Sequence, residues 1–590
     1  MKSNLLTGLA IVSLSFPFSL LAGDDVSEPM VVTATRAEQP ADQSLASVSI
    51  IDREAIERSQ APDLLELLRL EAGLDVARAG GPGGQTSVFM RGTNSNHVLV
   101  LIDGIRVSAA GTGAFAWEIL DPALIERIEI VRGPRAARYG SDAIGGVIQI
   151  FTRRANGPSA RAAYGRYRDR SLSVGMGGEG FGLSVSGRRV GGFSAQNERG
   201  FAFDPDDDGF KNLGATAYGT HPMDSGTFSW TGRINQGDIE FDQGESEFLN
   251  YAFQSEYRHD TRGPWQWSLS TGLYRDRLDT ETPFSFSEVV TRRIQAGWQA
   301  ERLLTEGTLW LTGIDAWRES GVSRSDWAEN RYNLGAWTGL HGARDRLDWE
   351  TSLRVDEDEQ FGSALTGNLA AGWRFDQHWR VYASAGRAFR APNFNQLYSP
   401  GFGGQFAGNP DLAPETSWTY EAGADFTPDT RQRITLNVFE TRIDDLIDFS
   451  GEDFQAINIR RARIRGAELS HELNLDHWRT RTSYTWQDPE DRDSGEPLLR
   501  RAEHKASLAA DYLFANGGWA GAELVHTGSR PDLGEELPSY TLLNLRMGYP
   551  ITEGLRLEAR LENAIDRDYE PLVGFNAHGR SLFVAINWEG

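Results

Sequence analysis

An acidic hexapeptide contains the residues whose types and spacing are best suited to chemistry. It reads DPDDDG from residue 204 to 209, so Asp204, Asp206 and Asp208 offer carboxylates at alternate positions before a glycine turn. Oxygen ligands at this spacing suit a hard cation such as calcium. The twelfth position of an EF-hand counted from Asp204 would be Ala215 instead of glutamate, so the loop is not an EF-hand. The sequence predicts a calcium site here, and the alternative is a solvated acidic loop.

Catalytic motifs do not accompany this loop. The 10 histidines are scattered without a metal-binding spacing such as HExxH. The sequence also has no GxSxG nucleophile turn and no phosphate-binding P-loop. We therefore predict that the protein is not an enzyme.

The composition argues against nucleic-acid-binding proteins and against proteins with several membrane-spanning helices. The chain has 590 residues, no cysteine and a formal net charge of -24, which argues against a nucleic-acid partner. Its mean hydropathy is -0.44, and no long apolar run follows the N-terminus. The sequence therefore excludes membrane-spanning helices after the N-terminus, but it allows spanning strands in which apolar and polar residues alternate.

From residue 155 onward, apolar and polar side chains alternate with the period of two that is typical of β-strands. Leu555 and Leu557, for example, alternate with charged residues, and Leu436 and Val438 flank Asn437. Spread over about 22 strands, residues 155–590 leave roughly 20 residues for each strand and its connection. A soluble sandwich also alternates but needs no repeat of this length. We predict a transmembrane β-barrel of about 22 antiparallel strands.

A smaller unit of a different kind precedes the barrel. The apolar runs 98–102 and 128–131 are short, β-prone and bounded by glycine-bearing turns, which predicts buried strands. Between them, Asp121 is a preferred helix N-cap and Pro122 suits the first helical position. An amphipathic helix at 63–70 adds a packed face. Together these signals predict a compact N-terminal α/β domain.

Several runs in this domain resemble the plug domain of TonB-dependent outer-membrane receptors. They are RGTNSNHVLVLIDGIR at 91–106 and RGPRAARYGSDAIGGV at 132–147. The resemblance continues through the barrel in FRAPN at 389–393, GNPDL at 408–412 and ENAIDRDY at 562–569. Within the family, the chain is most similar to the cobalamin (vitamin B12) receptors, on the first run and on PLLRR at 497–501. The resemblance implies that the α/β domain fills the barrel lumen as a plug.

The resemblance also implies how such a receptor is driven. A short β-prone segment resembles the Ton box, by which these receptors recruit the partner protein TonB; it consists of Met30, Val31, Val32, Thr33 and Ala34. An unpaired extended segment can add to a sheet edge of another protein, which suits that role. The alternative is an ordinary first strand of the plug.

Further metal ligands follow only from the resemblance. Cobalamin receptors hold calcium with a similar acidic loop and a Tyr-Asp pair on the next hairpin. Phe241 and Asp242 stand at the matching place here, so Asp242 offers a carboxylate and Phe241 its carbonyl oxygen. Glu245 is a weaker candidate, and Ser194 stands near the place of an upstream aspartate of the family.

Substrate contacts are also carried over from the family. Polar groups suit the amide fringe of a corrinoid, and the candidates are Gln85, Ser87, Asn94, Thr112, Gly113 and Arg500. Gln85 departs from an apolar position of the family pattern. Each candidate could instead make ordinary hydrogen bonds between plug and barrel.

The expected organisation is a signal peptide at 1–22, Ton box and linker at 23–45, plug at 46–154 and barrel at 155–590. The expected function is TonB-dependent import of cobalamin across the outer membrane of a Gram-negative bacterium. Ferric-siderophore or haem uptake is the alternative within the fold, and an adhesin or passive pore is the alternative outside it. Expected partners besides TonB are outer-membrane lipid with lipopolysaccharide and the barrel assembly machinery. We expect a monomer without an organic cofactor.

Overall fold

The computed structural model describes residues 30–259, 263–324, 326–401, 405–450 and 454–590. The predicted signal peptide at 1–22 lies outside these residues. Among the described residues, no helix is long and apolar enough to cross a membrane.

The first described residues form a small α/β domain. Its strands are β1 (Met30–Val31), β2 (Gln39–Pro40), β3 (Val48–Ile51), β4 (Leu74–Arg78), β5 (Thr86–Met90), β6 (Val98–Ile102), β7 (Ile105–Arg106), β8 (Ile125–Arg132) and β9 (Gly146–Thr152). Its helices are α1 (Arg53–Ser59), α2 (Leu64–Leu68) and α3 (Ala136–Tyr139), with 3-10 turns at Ala41–Gln43, Ser95–His97, Trp117–Ile119 and Pro122–Leu124. Five strands pair in the order β3-β8-β9-β6-β7, in which β6 and β9 run parallel.

Local sequence signals account for most of this domain. The predicted strand at 98–102 is β6, and the run 128–131 lies within β8. Asp63 caps α2 by accepting a hydrogen bond from the Glu66 amide at 3.3 Å. Asp121 caps only one 3-10 turn, because the β-branched residues that follow enter strand β8 at Ile125.

The rest of the chain is almost entirely strand. The barrel strands are β10 (Ser159–Gly165), β11 (Asp169–Gly177), β12 (Phe181–Val190), β13 (Phe210–Met223), β14 (Gly226–Phe241), β15 (Gly244–His259), β16 (Gln266–Thr282), β17 (Ser285–Thr305), β18 (Thr308–Ser323), β19 (Trp327–Arg344), β20 (Leu347–Asp358), β21 (Gly362–Arg374), β22 (Trp379–Arg390), β23 (Glu415–Asp429), β24 (Gln432–Ser450), β25 (Gln455–Asn474), β26 (Trp478–Asp491), β27 (His504–Leu513), β28 (Trp519–Thr527), β31 (Tyr540–Thr552), β32 (Leu555–Glu562) and β33 (Ser581–Glu589). The connections contain α4 (Phe394–Tyr398), a 3-10 turn at Arg166–Arg168 and the hairpin β29 (Arg530–Asp532) with β30 (Glu535–Leu537).

These 22 strands close into one antiparallel barrel, because β10 pairs with β33 as well as with β11. Closure removes the sheet edges, so every strand has two hydrogen-bonded neighbours, as a lipid environment requires. The predicted strand number and antiparallel arrangement are confirmed.

The alternation along each strand separates a lipid-facing surface from a polar lumen. Leu557 is 43% exposed on the outer wall, whereas Glu558 and Arg560 beside it are each 2% exposed. Leu436 is exposed on the outer wall and Asn437 is buried. A soluble protein shows the opposite distribution, so the outer wall is built to contact lipid.

The two ends of the barrel differ in the length of their connections. At one end, which we call the loop end, the long connections are 191–209, 391–414, 492–503, 528–539 and 563–580. At the other, which we call the turn end, strands are joined by turns as short as 224–225, 345–346 and 553–554. Short periplasmic turns and long outer loops are typical of outer-membrane barrels, so the loop end faces outward.

Buried ion pairs hold the plug against the inner wall. Arg91 of the plug pairs with Glu468 at 2.7 Å and with Glu421 at 3.0 Å. His97, at the end of a 3-10 turn, contacts Glu415 at 2.9 Å. The plug therefore lies inside the lumen, as the resemblance implies.

Candidate functional site

The plug reaches the loop end through its glycine-rich loop 80–84. Gly80 has a φ of +82°, and a Cβ placed on it would lie 2.5 Å from the Cβ of Ala195. A larger residue at this position would therefore be strained and would also clash. Loop 191–209, which carries the acidic hexapeptide, thus rests directly on the plug apex.

Two buried carboxylates shape the acidic loop. Asp208 accepts a hydrogen bond from the Ala195 amide at 2.6 Å. Asp242, in the turn between β14 and β15, accepts from the amides of Gln196 at 2.7 Å and Asp204 at 2.9 Å. Asp242 therefore holds this loop from the neighbouring hairpin.

Ser194 contributes to the same loop through its hydroxyl, whose single proton has two backbone carbonyls within hydrogen-bond distance. Its hydroxyl lies 2.7 Å from the carbonyl oxygen of Gln196 and 2.8 Å from that of Asp204. A serine hydroxyl can donate to a carbonyl, which an ionised aspartate cannot do. The hydroxyl of Ser194 therefore helps to organise the backbone of the acidic loop.

Nearby basic side chains neutralise only part of the negative charge of the acidic loop. Arg168 pairs with Asp207 at 2.9 Å. In the part of the chain that the structure describes, Asp204, Asp206, Asp208 and Asp242 form no ion pair with a basic side chain. Burial, together with Asp242, Asp206 and Glu240, raises the pKa of Asp208 to about 7.

The donors fit a hard cation in chemical type, because all of them are oxygen atoms and most are carboxylates. Phe241 ends β14 and Asp242 follows it, so both lie on the hairpin beside the acidic loop. However, no three carboxylate or imidazole groups among the described residues lie close enough together to hold one ion. Calcium binding by these residues therefore stays a prediction.

The candidate substrate residues of the plug lie on two loops and one strand toward the loop end. Ser87 lies in β5, and Gln85 precedes that strand and is exposed. Thr112 is exposed, and its carbonyl accepts a hydrogen bond from the Asn393 side chain at 2.8 Å. Gly113 follows with a φ of +69°, which favours glycine at this tight turn. Thr112 therefore lies beside the connection 391–414 at the loop end.

Arg500, which the sequence predicts as a substrate contact, and its neighbour Arg501 make different contacts within the protein. Arg500 donates from Nε to Asp532 at 2.8 Å, which ties two outer connections together. Arg501 instead turns inward, donates to the carbonyl of Gly92 at 3.1 Å and to the side chain of Asn94, and stacks on Phe89 at 4.2 Å. Arg501 was not among the predicted site residues, although it adjoins Arg500 in the run PLLRR.

The predicted Ton box is folded away. Met30 and Val31 pair with Pro40 and Gln39 in a two-stranded sheet, and Val31, Thr33 and Ala34 are buried. The expectation of an unpaired segment is therefore wrong for this conformation. It cannot add to another sheet while its backbone is enclosed in this way.

Glu129 of β8 is the main partner of this segment. Its carboxylate accepts hydrogen bonds from the Thr33 hydroxyl at 2.6 Å, the Thr33 amide at 2.9 Å and the Val32 amide at 3.1 Å. The Tyr139 hydroxyl donates to the Thr33 carbonyl at 3.0 Å. A charged residue inside the otherwise apolar run 128–131 was the sequence signal that could have revealed Glu129.

Arg36 joins the same segment to the barrel wall. It pairs with Asp315 of β18 at 3.0 Å, and its guanidinium lies 4.6 Å from the centre of the Tyr139 ring. Asp315 also contacts Arg354 at 2.6 Å. The segment is therefore anchored at both sides, to the plug through Glu129 and to the wall through Arg36.

Comparison with known proteins follows the division seen in the structure. The family model described as "TonB dependent receptor-like, beta-barrel" matches residues 148–564. The model described as "TonB-dependent Receptor Plug Domain" matches residues 40–147.

Similar proteins cover the whole chain. The "Vitamin B12 transporter BtuB" of Photobacterium profundum is 32% identical over 100% of both chains. The protein of the same name from Vibrio vulnificus is 30% identical, again over 100% of both. Among solved structures, the siderophore receptor PirA from Acinetobacter baumannii superposes with a TM-score of 0.79 at 16% identity, over 92% of this chain and 98% of that one. At that identity the structural likeness shows the fold alone.

Proposed function

Because the chain belongs to the TonB-dependent receptor family, we propose that it imports cobalamin or a closely related corrinoid across the outer membrane. It is an outer-membrane protein of a TonB-dependent transport system. We propose that its substrate is a corrinoid and not another scarce nutrient.

Full-length similarity to two proteins named as vitamin B12 transporters carries this proposal. The polar groups at the plug apex are compatible with it, because a corrinoid presents many amide donors and acceptors. Ser87, Asn94 and Thr112 supply hydroxyl, amide and carbonyl groups at the loop end. Arg500 on the barrel side would add fixed guanidinium donors.

Calcium would serve substrate binding by ordering the loops before the substrate arrives. We propose that Asp204, Asp206, Asp208 and Asp242 hold it, with the Phe241 carbonyl as a further oxygen ligand. The bound ion would neutralise charge that burial disfavours on Asp208. Loops that are already ordered lose less conformational entropy when substrate binds, so binding is tighter.

Energy coupling would begin when the predicted Ton box leaves its buried position. Glu129, Tyr139 and Arg36 hold the segment by the contacts described above, and TonB needs its backbone exposed. Substrate at the plug apex would favour release of the segment only if the receptor binds substrate more tightly with the segment released than with it docked. The plug, which spans the lumen between the two sites, is the element that both sites contact.

Titration of the purified receptor with cobalamin and with a ferric siderophore tests the substrate. We expect saturable binding of cobalamin, stronger in calcium than in chelator, and no competition from the siderophore. Binding of the siderophore alone would reject the corrinoid and favour the alternative. Failure of both ligands to bind a folded barrel would reject both substrate classes.

A further inference from the structure

A row of charged side chains crosses the outer wall of the barrel near the loop end, and nutrient uptake does not account for it. Successive strands place these residues directly opposite one another: Arg170, Arg189, Lys211, Asp238, Glu247, Asp279 and Glu288. Three neighbouring cations are thus followed by four neighbouring carboxylates. Like charges directly opposite on adjacent strands destabilise a sheet unless something binds them.

The parity of the strands shows that the cationic part of the row points outward. Leu172 follows Arg170 by two positions and is 56% exposed on the outer wall. Leu213 follows Lys211 in the same way and is 49% exposed. The cations therefore lie at the border where the lipid-facing apolar surface meets the loop end.

The acidic part of the row has counter-ions within the protein. Lys211 pairs with Asp238 at 2.8 Å. Arg277, outward-facing on β16, pairs with Asp279 at 2.5 Å and approaches Glu288 at 3.5 Å. Three of the four carboxylates are therefore paired within the protein, and Glu247 alone of the four makes no ion pair with the described residues.

The cationic part differs, because its first two members have no such counter-ion. Within the described ranges, neither Arg170 nor Arg189 makes an ion pair with a carboxylate. Both are exposed and face each other across β11 and β12. A shallow depression of about 780 Å³ lies on the wall here, and Arg170, Arg189 and Lys211 line it together with Leu172 and Leu213.

We propose that Arg170, Arg189 and Lys211 form a binding site for the phosphate groups of the phosphorylated glycolipid in the outer leaflet. Guanidinium groups bind phosphate oxygens with two parallel hydrogen bonds, and a lysine adds a point charge. The leucines beside them would contact the acyl chains of the same molecule. A site that pairs phosphate donors with apolar surface fits a lipid, whereas a soluble anion would use only the charged part.

Lipid binding tests the site directly. The double variant Arg170→Gln/Arg189→Gln should bind bisphosphorylated lipid A roughly tenfold more weakly in native mass spectrometry or a detergent-based titration. The matched control is Arg318→Gln, since Arg318 is an exposed arginine on β18 opposite Ile294 and Tyr332, with no like charge beside it. Equal lipid A affinity for the wild type and the double variant would overturn the proposal.

A second measurement does not depend on a variant. The sequence has only three lysines, of which Lys505 is buried and Lys2 falls in the predicted signal peptide. Amine labelling followed by peptide mapping therefore reports on Lys211. We expect bisphosphorylated lipid A to protect Lys211 and dephosphorylated lipid A to leave it reactive. Protection by inorganic phosphate alone would replace the lipid site with a general anion site, and no protection would reject both.

Discussion

The acidic loop 191–209 and the segment from Met30 to Arg36 both contact the plug, but they are held in opposite ways. Asp204, Asp206 and Asp208 of the acidic loop form no ion pair with a basic side chain of the described residues, and Asp208 has a pKa raised to about 7. The N-terminal segment is uncharged up to Arg36, and one carboxylate, Glu129, satisfies its backbone. Under the proposed function, the first region would gain order by binding a cation, whereas the second would act by losing its contacts with Glu129.

This difference assigns the two regions to different steps of one transport cycle. Under the proposed function, the acidic loop would respond to a cation and, through loop order, to substrate. A docked segment with satisfied hydrogen bonds stays docked until the released state becomes more favourable. If this comparison is correct, each region can be perturbed without affecting the other. The expected effects decrease from Val32→Pro to Arg36→Ala.

Val32→Pro should abolish uptake while leaving substrate binding intact. Proline removes the amide that donates to Glu129 and the donor that a strand added to TonB would need. Cobalamin uptake by cells and equilibrium binding by purified receptor measure the two effects separately. Val32→Ala, which keeps the amide, is the control. Normal uptake by the proline variant would reject the Ton-box assignment.

Asp206→Asn/Asp208→Asn should uncouple substrate binding from calcium. For the wild type we expect affinity for cobalamin to differ by about tenfold between chelator and millimolar calcium, within the usual range of coupling between two sites. The double variant should bind as the wild type does in chelator, whatever the calcium concentration. Identical wild-type affinities in both conditions would show that the acidic loop is only a solvated surface.

Arg500→Ala should weaken cobalamin binding by on the order of 1 kcal/mol or more, because it removes the guanidinium donors of a buried hydrogen bond to the substrate. Its neighbour Leu499 is 41% exposed, so Leu499→Ala is the matched control in the same connection. Titration calorimetry measures both. If Arg500→Ala binds normally, the bond to Asp532 is the whole role of Arg500.

Arg36→Ala should loosen the N-terminal segment without affecting calcium. The Arg36–Asp315 pair is partly exposed, with side-chain exposures of 19% and 21%, so its loss is worth about 1 kcal/mol or less. The chain has no cysteine, so Met30→Cys provides one site for a spin label whose mobile fraction can be followed. We expect that fraction to rise severalfold, with Arg36→Lys as the charge-preserving control. An unchanged fraction would leave Glu129 as the dominant restraint.

The sequence by itself determined the architecture, because each signal is local. The period-two alternation from residue 155 is enough to predict which side chains face lipid, as Leu557 and Glu558 illustrate. The run 98–102 specifies β6 because five consecutive apolar residues suit a strand buried on both faces. Asp63 specifies the start of α2 because an N-cap acts within three residues of its position.

Only the tertiary structure decided which distant residues meet. The burial of Thr33 depends on Glu129, and the different roles of Arg500 and Arg501 depend on Asp532 and Asn94. The charged row on the outer wall depends on the register of six successive strand pairings, from β11–β12 to β16–β17. A shift of one residue in any of these pairings would move side chains to the opposite face, and the closed barrel as a whole sets that register. Local sequence patterns do not determine how the barrel closes, so these contacts could not be predicted from the sequence alone.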